Sequence, residues 1–362
     1  MDLLLEKKTI EAHGEGYRAF IRKKRIFLLL LFFMTLGVFV VALAFGSSTV
    51  PFDRVIATLL GYGDAKEEIV VMNLRLPRAT TAVVAGFGLG IVGCAMQGIL
   101  RNPLASASTI GVSQGAAFGA AFAIIVLGGG LMSAGTSGVQ LNLNNPILIM
   151  VCAFLGSMIS TVFIVLLSKF KSMSAGTLIL AGVALSSLFS AGTTLLEYFA
   201  DDVRVAAVVY WTFGDLGSTF WKDILLISVV VLLASIYFGI NRWNYNALQG
   251  GEDTAKGLGV NTRRILINSM VVCAITASVI VSHIGIINFV GLIAPHMVKR
   301  FVGSDYRYLL PASGLAGAVL LLLSDTVARL AVAPIVLPIG AITSVLGAPV
   351  FLWIIFKGRW NK

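Results

Sequence analysis

The chain has 362 residues, 57% of them hydrophobic and only 12% charged, whereas an ordinary soluble domain carries about 25% charged residues. A mean hydropathy of +0.93 and long uninterrupted apolar runs place it among polytopic helical membrane proteins and exclude a membrane β-barrel, whose strands alternate in polarity. The net charge of +10 is not a nucleic-acid footprint, because the cations sit in segments flanking apolar runs, as cytoplasmic anchors do.

Residues 1–25 are polar and basic (Lys7, Lys8, Arg18, Arg22, Lys23, Lys24, Arg25) and lead into a full-length apolar run. They read as a cytoplasmic tail and not as a cleavable signal peptide. The hydropathy then predicts about ten membrane-spanning helices, near 26–46, 79–99, 109–127, 146–168, 175–196, 224–240, 265–282, 289–302, 309–330 and 339–356, with 357–362 as a second cytoplasmic tail. With the N-terminus inside, only Arg54, Lys66, Arg75, Arg78, Arg204, Lys222 and Arg329 fall outside, which fits the positive-inside rule. Among the outer loops, Gly128–Asn145 is rich in Gly, Ser and Asn, lacks charge, and reads as a flexible connector. Gly46–Leu74 and Phe199–Trp221 carry acids and read as short surface helices. Small-residue stripes, Gly86, Gly90, Gly93 and Gly111, Gly115, Gly119, predict closely packed helices.

Segment 247–264, ALQGGEDTAKGLGVNTRR, is a polar island between two spans. Its stretch Glu252, Asp253, Thr254, Ala255, Lys256 opens on acids and ends before Gly257 and Gly259, as a short capped helix does. A short helix at the membrane surface suits contact with a soluble partner, through which mechanical work can enter.

Other chemistry is sparse. There is no GxxxxGK[ST] phosphate loop and no HExxH, and the three histidines and three cysteines (Cys94, Cys152, Cys273) are scattered. No catalytic, cofactor or metal site is predicted. His283 and His296 read as helix-end or packing residues, with a heme ligand at His283 as an alternative. The main intramembrane charges, Asp325 and Arg329, are four apart and can pair on one helix face. Ion-coupled carriers need ionisable groups near the bilayer midplane, so this scarcity points to energy from a partner. A secondary carrier without an ATPase is the rival class.

The motifs resemble one family. In order they are Arg75-Leu76-Pro77-Arg78, Gly93-Cys94-Ala95-Met96-Gln97, Arg101-Asn102-Pro103-Leu104-Ala105 and Gly111-Val112-Ser113-Gln114-Gly115-Ala116. Then come Trp211-Thr212-Phe213-Gly214, Ala255-Lys256-Gly257-Leu258-Gly259, Phe289-Val290-Gly291-Leu292-Ile293-Ala294-Pro295-His296 and Leu337-Pro338-Ile339-Gly340. Together they are similar to the FecCD permeases of type II ABC importers, which move iron-siderophores, heme and vitamin B12. The resemblance implies an all-α, vitamin B12 permease-like bundle of about ten helices, here 26–356 with 247–264 as coupling loop. It implies a bacterial or archaeal cytoplasmic membrane, a second permease copy or homologous permease, two ABC ATPases that use ATP and Mg, and an extracytoplasmic substrate-binding protein. It further implies an iron-siderophore cargo, with heme or cobalamin as alternatives. By the same resemblance Arg75, Arg78 and Arg329 dock the binding protein. Asn102 and Leu104 with Ser174, Ala175 and Gly176 form the cytoplasmic gate. Glu252, Asp253, Thr254, Ala255, Leu258 and Gly259 couple to the ATPase. Val336 and Asn288 depart from the family pattern, which has Glu and Gly there.

Overall fold

The computed structural model describes residues 2–46, 50–129, 131–135, 138–142, 145–169, 175–333 and 335–359. Helix α1 (Asp2–Ala44) is followed by two short helices, α2 (Phe52–Leu59) and α3 (Ala65–Glu68). A wide turn over Ile69–Arg75 runs into α4 (Leu76–Ile99), whose Pro77 occupies the first turn, where a missing N–H costs nothing. A tight turn at Ser108–Ile110 precedes α5 (Val112–Ile125), strands β1 (Leu131–Gly135) and β2 (Gly138–Asn142), then α6 (Pro146–Lys169), α7 (Ala175–Tyr198) and α8 (Asp202–Phe213). The rest comprises α9 (Trp221–Ile240), α10 (Arg242–Gln249), α11 (Glu252–Gly257), α12 (Thr262–Ile284), α13 (Val290–Val302), α14 (Tyr306–Leu330) and α15 (Ile339–Arg359).

The predicted spans correspond to α1, α4, α5, α6, α7, α9, α12, α13, α14 and α15. Among the described residues, seven helices are long and apolar enough to cross a membrane, with α5 and α15 as shorter apolar helices. The acid-bearing outer loops form α2, α3 and α8, as their composition predicts.

Helix α1 runs unbroken from the basic segment into the first span. Two expectations change. Within the connector Gly128–Asn145 the described strands β1 and β2 pair antiparallel, Leu131 opposite Asn142, which satisfies backbone groups that a free loop would leave to solvent. The third span starts late, because Gly111 at φ 87 separates α5 from the preceding turn.

The small-residue stripes work as close approaches. α4 packs most extensively on α14, and a Cβ on Gly86 or Gly90 would strike the α14 backbone at Gly317 or Ser313. Gly93 meets the Gly291 carbonyl of α13. Gly115 and Gly119 meet Gly156 and Cys152, so α5 and α6 run antiparallel in near-backbone contact. Such seams substitute for a hydrophobic driving force, which lipid does not provide. α4 and α14 are the buried centre, whereas α1, α7 and α9 turn most of their apolar surface outward.

Candidate functional site

Arg75 and Arg101 flank the two termini of α4 and so mark the two ends of the bundle. At the Arg101 end, α10 buries Tyr245, whose hydroxyl lies 2.8 Å from Ser269 Oγ of α12. Asn246 donates to Asp305 Oδ1 at 3.0 Å and accepts the Tyr306 N–H at 2.9 Å, tying α10 to the start of α14. The chain then turns at Gly251, with φ 106, a region that favours glycine. Within α11, Lys256 Nζ is 3.0 Å from Glu252 Oε1, and Thr262 Oγ1 is 3.3 Å from the same oxygen. The Lys256 hydrogen bond holds the Glu252 carboxyl below its usual range, and Lys256 rises correspondingly. Val260 N–H returns to the Ala255 carbonyl at 3.0 Å, and Asn261 caps α12 by accepting the Arg264 N–H at 3.0 Å. Glu252, Asp253, Thr254, Ala255, Leu258 and Gly259 thus form one braced knuckle, buried at Ala255 and carrying Leu258 at its tip, 69% exposed. Exposed apolar surface on a rigid base is the geometry of a protein contact.

The proposed gate segments share this end. Asn102 Oδ1 accepts the Leu104 N–H at 2.8 Å, and Leu104 is 47% exposed. Because α6 runs antiparallel to α5, it delivers the chain to α7 on the same side. Gly176 is exposed there; Ser174 lies outside the described residues, as does the Ala175 side chain.

At the opposite end, Arg75, Arg78 and Arg329 come together, but not as free rim charges. Arg75 is buried and donates to the Leu43 and Ala44 carbonyls at 2.8 and 2.9 Å. Arg329 is buried too, donating to Ala42 and Phe45 carbonyls at 3.0 Å and pairing with Asp325 at 2.9 Å. The last carbonyls of α1 have no intrahelical partner, and the two guanidiniums supply one. Arg78 pairs with Asp325 at 2.7 Å and with Asp215 at 3.3 Å. The predicted Asp325–Arg329 pair is therefore real but shared. That the three arginines share one end of the bundle was legible in the sequence; the partners, which arrive from α1 and from the α8–α9 loop, were not.

A third feature had no assigned role. α7 exposes Ser187, Ser190 and Thr194, which with the half-buried Ser186 and with Ser108, Thr109 and Gln114 line an open trough of about 840 Å³. Ser186, Ser187 and Thr194 donate to their own helix at Gly182, Val183 and Ser190 carbonyls, 2.8 to 3.1 Å away. Their oxygens keep lone pairs for a guest, and no charge lines the trough. A polar stripe on the outside of a spanning helix belongs against water or protein, not lipid tails. Its signal was the four-residue repeat of Ser186, Ser190 and Thr194 in an apolar run.

No cluster among the described residues could hold a metal ion. His296 Nδ1 lies 2.9 Å from the Leu292 carbonyl, with its ring edge-on to Phe351. His283 Nδ1 lies 2.7 Å from the Val279 carbonyl. Both are engaged with their own helices, as helix-end and packing residues would be.

Residues 30–357 match the FecCD transport family. The chain is 49% identical over 344 residues to a protein of Methanocaldococcus jannaschii whose name, ABC transporter permease protein, is itself provisional; the match covers 95% of this chain and 97% of the relative. It is 37% identical to the hemin transport system permease protein HmuU of Yersinia pestis, over 80% of this chain and 84% of that protein. A solved inward-facing structure, provisionally a metal-chelate type ABC transporter, superposes with a TM-score of 0.79 at 31% identity, covering 92% of this chain and 99% of that one. Matched by the family over residues 30–357 and by these relatives along most of its length, the chain belongs to the FecCD transport family and is a permease subunit of an ABC importer.

Proposed function

We propose that the chain forms half of a pathway that carries an intact iron-siderophore complex inward, powered by ATP hydrolysed with Mg on partner subunits. The observation that carries this reading is the trough along α5 and α7, roomy, without charge, and lined by hydroxyls set among the apolar Val183, Ala191 and Leu195. A bare ferric ion would call for carboxylate or other hard anionic ligands. A neutral hydroxyl-lined surface suits a bulky chelate whose metal is already wrapped. The trough is open on one side, which supports closure by a second copy or a homologous permease. Leu258 and its braced knuckle support an ATPase, one per permease, at the Glu252 end, which we take as cytoplasmic together with both termini. The binding protein then meets the Arg78 end. Of the three arginines there, Arg78 has an exposed counter-ion, Asp215, so an acid on the binding protein would engage Arg78 by taking that place.

Purified permease, ATPase and binding protein reconstituted in proteoliposomes test the reading. Vanadate-sensitive uptake of a labelled ferric siderophore is expected. Uptake of heme or cobalamin in its place would reassign the cargo. Uptake driven by a proton gradient without ATPase, or uptake of uncomplexed iron, would overturn the reading.

A further inference from the structure

A second cavity, of about 340 Å³, opens at the Glu252 end beneath the Arg101–Leu104 turn. Its polar lining includes Gln97, Arg101, Asn102, Gln249, His296 and Lys299. No carboxylate lines it. The nearby acids are committed elsewhere: Asp305 to Arg307 at 2.6 Å and Glu252 to Lys256 at 3.0 Å. Lys299 makes no hydrogen bond or ion pair among the described residues, and Arg101 reaches Glu252 only at 4.0 Å. Two full positive charges thus share a concave site whose own lining holds no anion.

Arg101 is also held in an unusual way. It has φ 44, in the left-handed region. The Arg101 N–H donates to Gly98 and the Asn102 N–H to Gln97, so α4 ends in a Schellman turn with Arg at the position where glycine is favoured. A non-glycine residue there is strained, and such strain concentrates where the side chain has work to do. The same turn leaves the Asn102 amide NH2 free to donate, because its Oδ1 is taken by the Leu104 N–H.

We propose that this cavity is a binding site for a phosphate-class oxyanion, held by Arg101, Lys299 and Asn102. Charge-assisted hydrogen bonds to an oxyanion are the strong kind, and a guanidinium beside an ammonium suits phosphate. An occupant draws Arg101 away from Glu252 and so bears on the base of the Leu258 knuckle. The chemistry fits free phosphate in solution or the headgroup of an anionic lipid. Binding requires no second copy, ATPase or cargo, so its failure would leave the transport reading untouched.

The test is equilibrium binding of radiolabelled inorganic phosphate to the full chain in nanodiscs, some of phosphatidylcholine alone and some containing phosphatidylglycerol. Saturable binding of one phosphate per chain is expected in phosphatidylcholine. Arg101→Gly, which relieves the left-handed strain and so keeps the fold, and Lys299→Gln should each weaken it about tenfold, the loss of one charge-assisted hydrogen bond. Arg242→Gln, a cation outside the cavity, should not. Loss of phosphate binding when phosphatidylglycerol is present identifies the lipid headgroup as the natural source; unchanged binding identifies free phosphate. No saturable binding at about 10 mM phosphate, the weak end of specific affinity, or binding that survives both substitutions, or an equal loss in Arg242→Gln, overturns the proposal.

Discussion

At the Arg78 end, a fully buried carboxylate, Asp325, holds Arg78 and Arg329, and Arg329 together with Arg75 closes off the carbonyls at the end of α1. At the Glu252 end, a half-exposed carboxylate holds Lys256 and reaches Arg101 loosely, with Leu258 standing clear. The residue types are the same, yet burial gives them opposite roles. Sealed from water, an ion pair cannot lose a partner cheaply, so it fixes helices in place. In water the same pair contributes little and can be exchanged. One end is thus built to hold and the other to be acted upon.

Breaking the buried pair should have the largest effect. Asp325→Asn leaves Arg78 and Arg329 without their shared counter-ion and should destabilise the purified protein by about 3–5 kcal/mol, read from thermal or denaturant unfolding in detergent. A change below about 1 kcal/mol would mean that the two ends do not differ in kind.

Asp305 sharpens the comparison from the other end, where it anchors α10 and α14. Burial alone would push its carboxyl up, but hydrogen bonds from the Arg307 side chain and backbone and from Asn246 hold it at about 2, below its ordinary 3.8. A carboxylate with a lowered value stabilises the fold above its ordinary value and loses that contribution as pH falls through its folded value. The contribution, roughly 2 kcal/mol, should be present above about pH 4 and vanish near pH 2. The gap in melting temperature between wild type and Asp305→Asn should close over that window; a gap independent of pH would show that the carboxylate is not held low.

Gly93→Ala probes the seam that joins the two ends. A methyl group there runs into the Gly291 carbonyl, and overpacking of this kind should cost about 1–3 kcal/mol. Full stability would mean that α4 and α13 can separate freely. Glu252→Gln should give the smallest change, within about 0.5 kcal/mol, because both partners are largely in water. A larger loss would make the knuckle as structural as the Asp325 cluster.

Hydropathy alone made the spans legible, because a bilayer demands long apolar helices whatever their packing. The stripe Gly86, Gly90, Gly93 likewise announced a close seam, though not that α14 and α13 would fill it. The helix Glu252–Gly257 was readable from its acids and glycines, whereas α10 just before it was not, since RWNYNALQ is polar on average and its Tyr245 finds its burial only among Phe238 of α9, Ser269 of α12 and Tyr306 of α14. The arginines show the limit most clearly. Sequence places Arg75 and Arg329 on one side of a membrane, but their partners are backbone carbonyls at the end of α1, remote in the chain and invisible to any pattern of residue types. The trough depends in the same way on which face of α7 is left uncovered.

The claim that the Glu252 end receives work from an ATPase is tested most directly by Leu258→Asp. Leu258 is exposed in the isolated chain, so the variant should keep its melting temperature and membrane insertion. A charge placed in an apolar contact should cost the complex about 2 kcal/mol or more. In proteoliposomes with ATPase and binding protein, ATP-driven uptake should fall at least about tenfold. Uptake and ATPase assembly at wild-type levels would contradict the account and leave the knuckle a connector between α9 and α12.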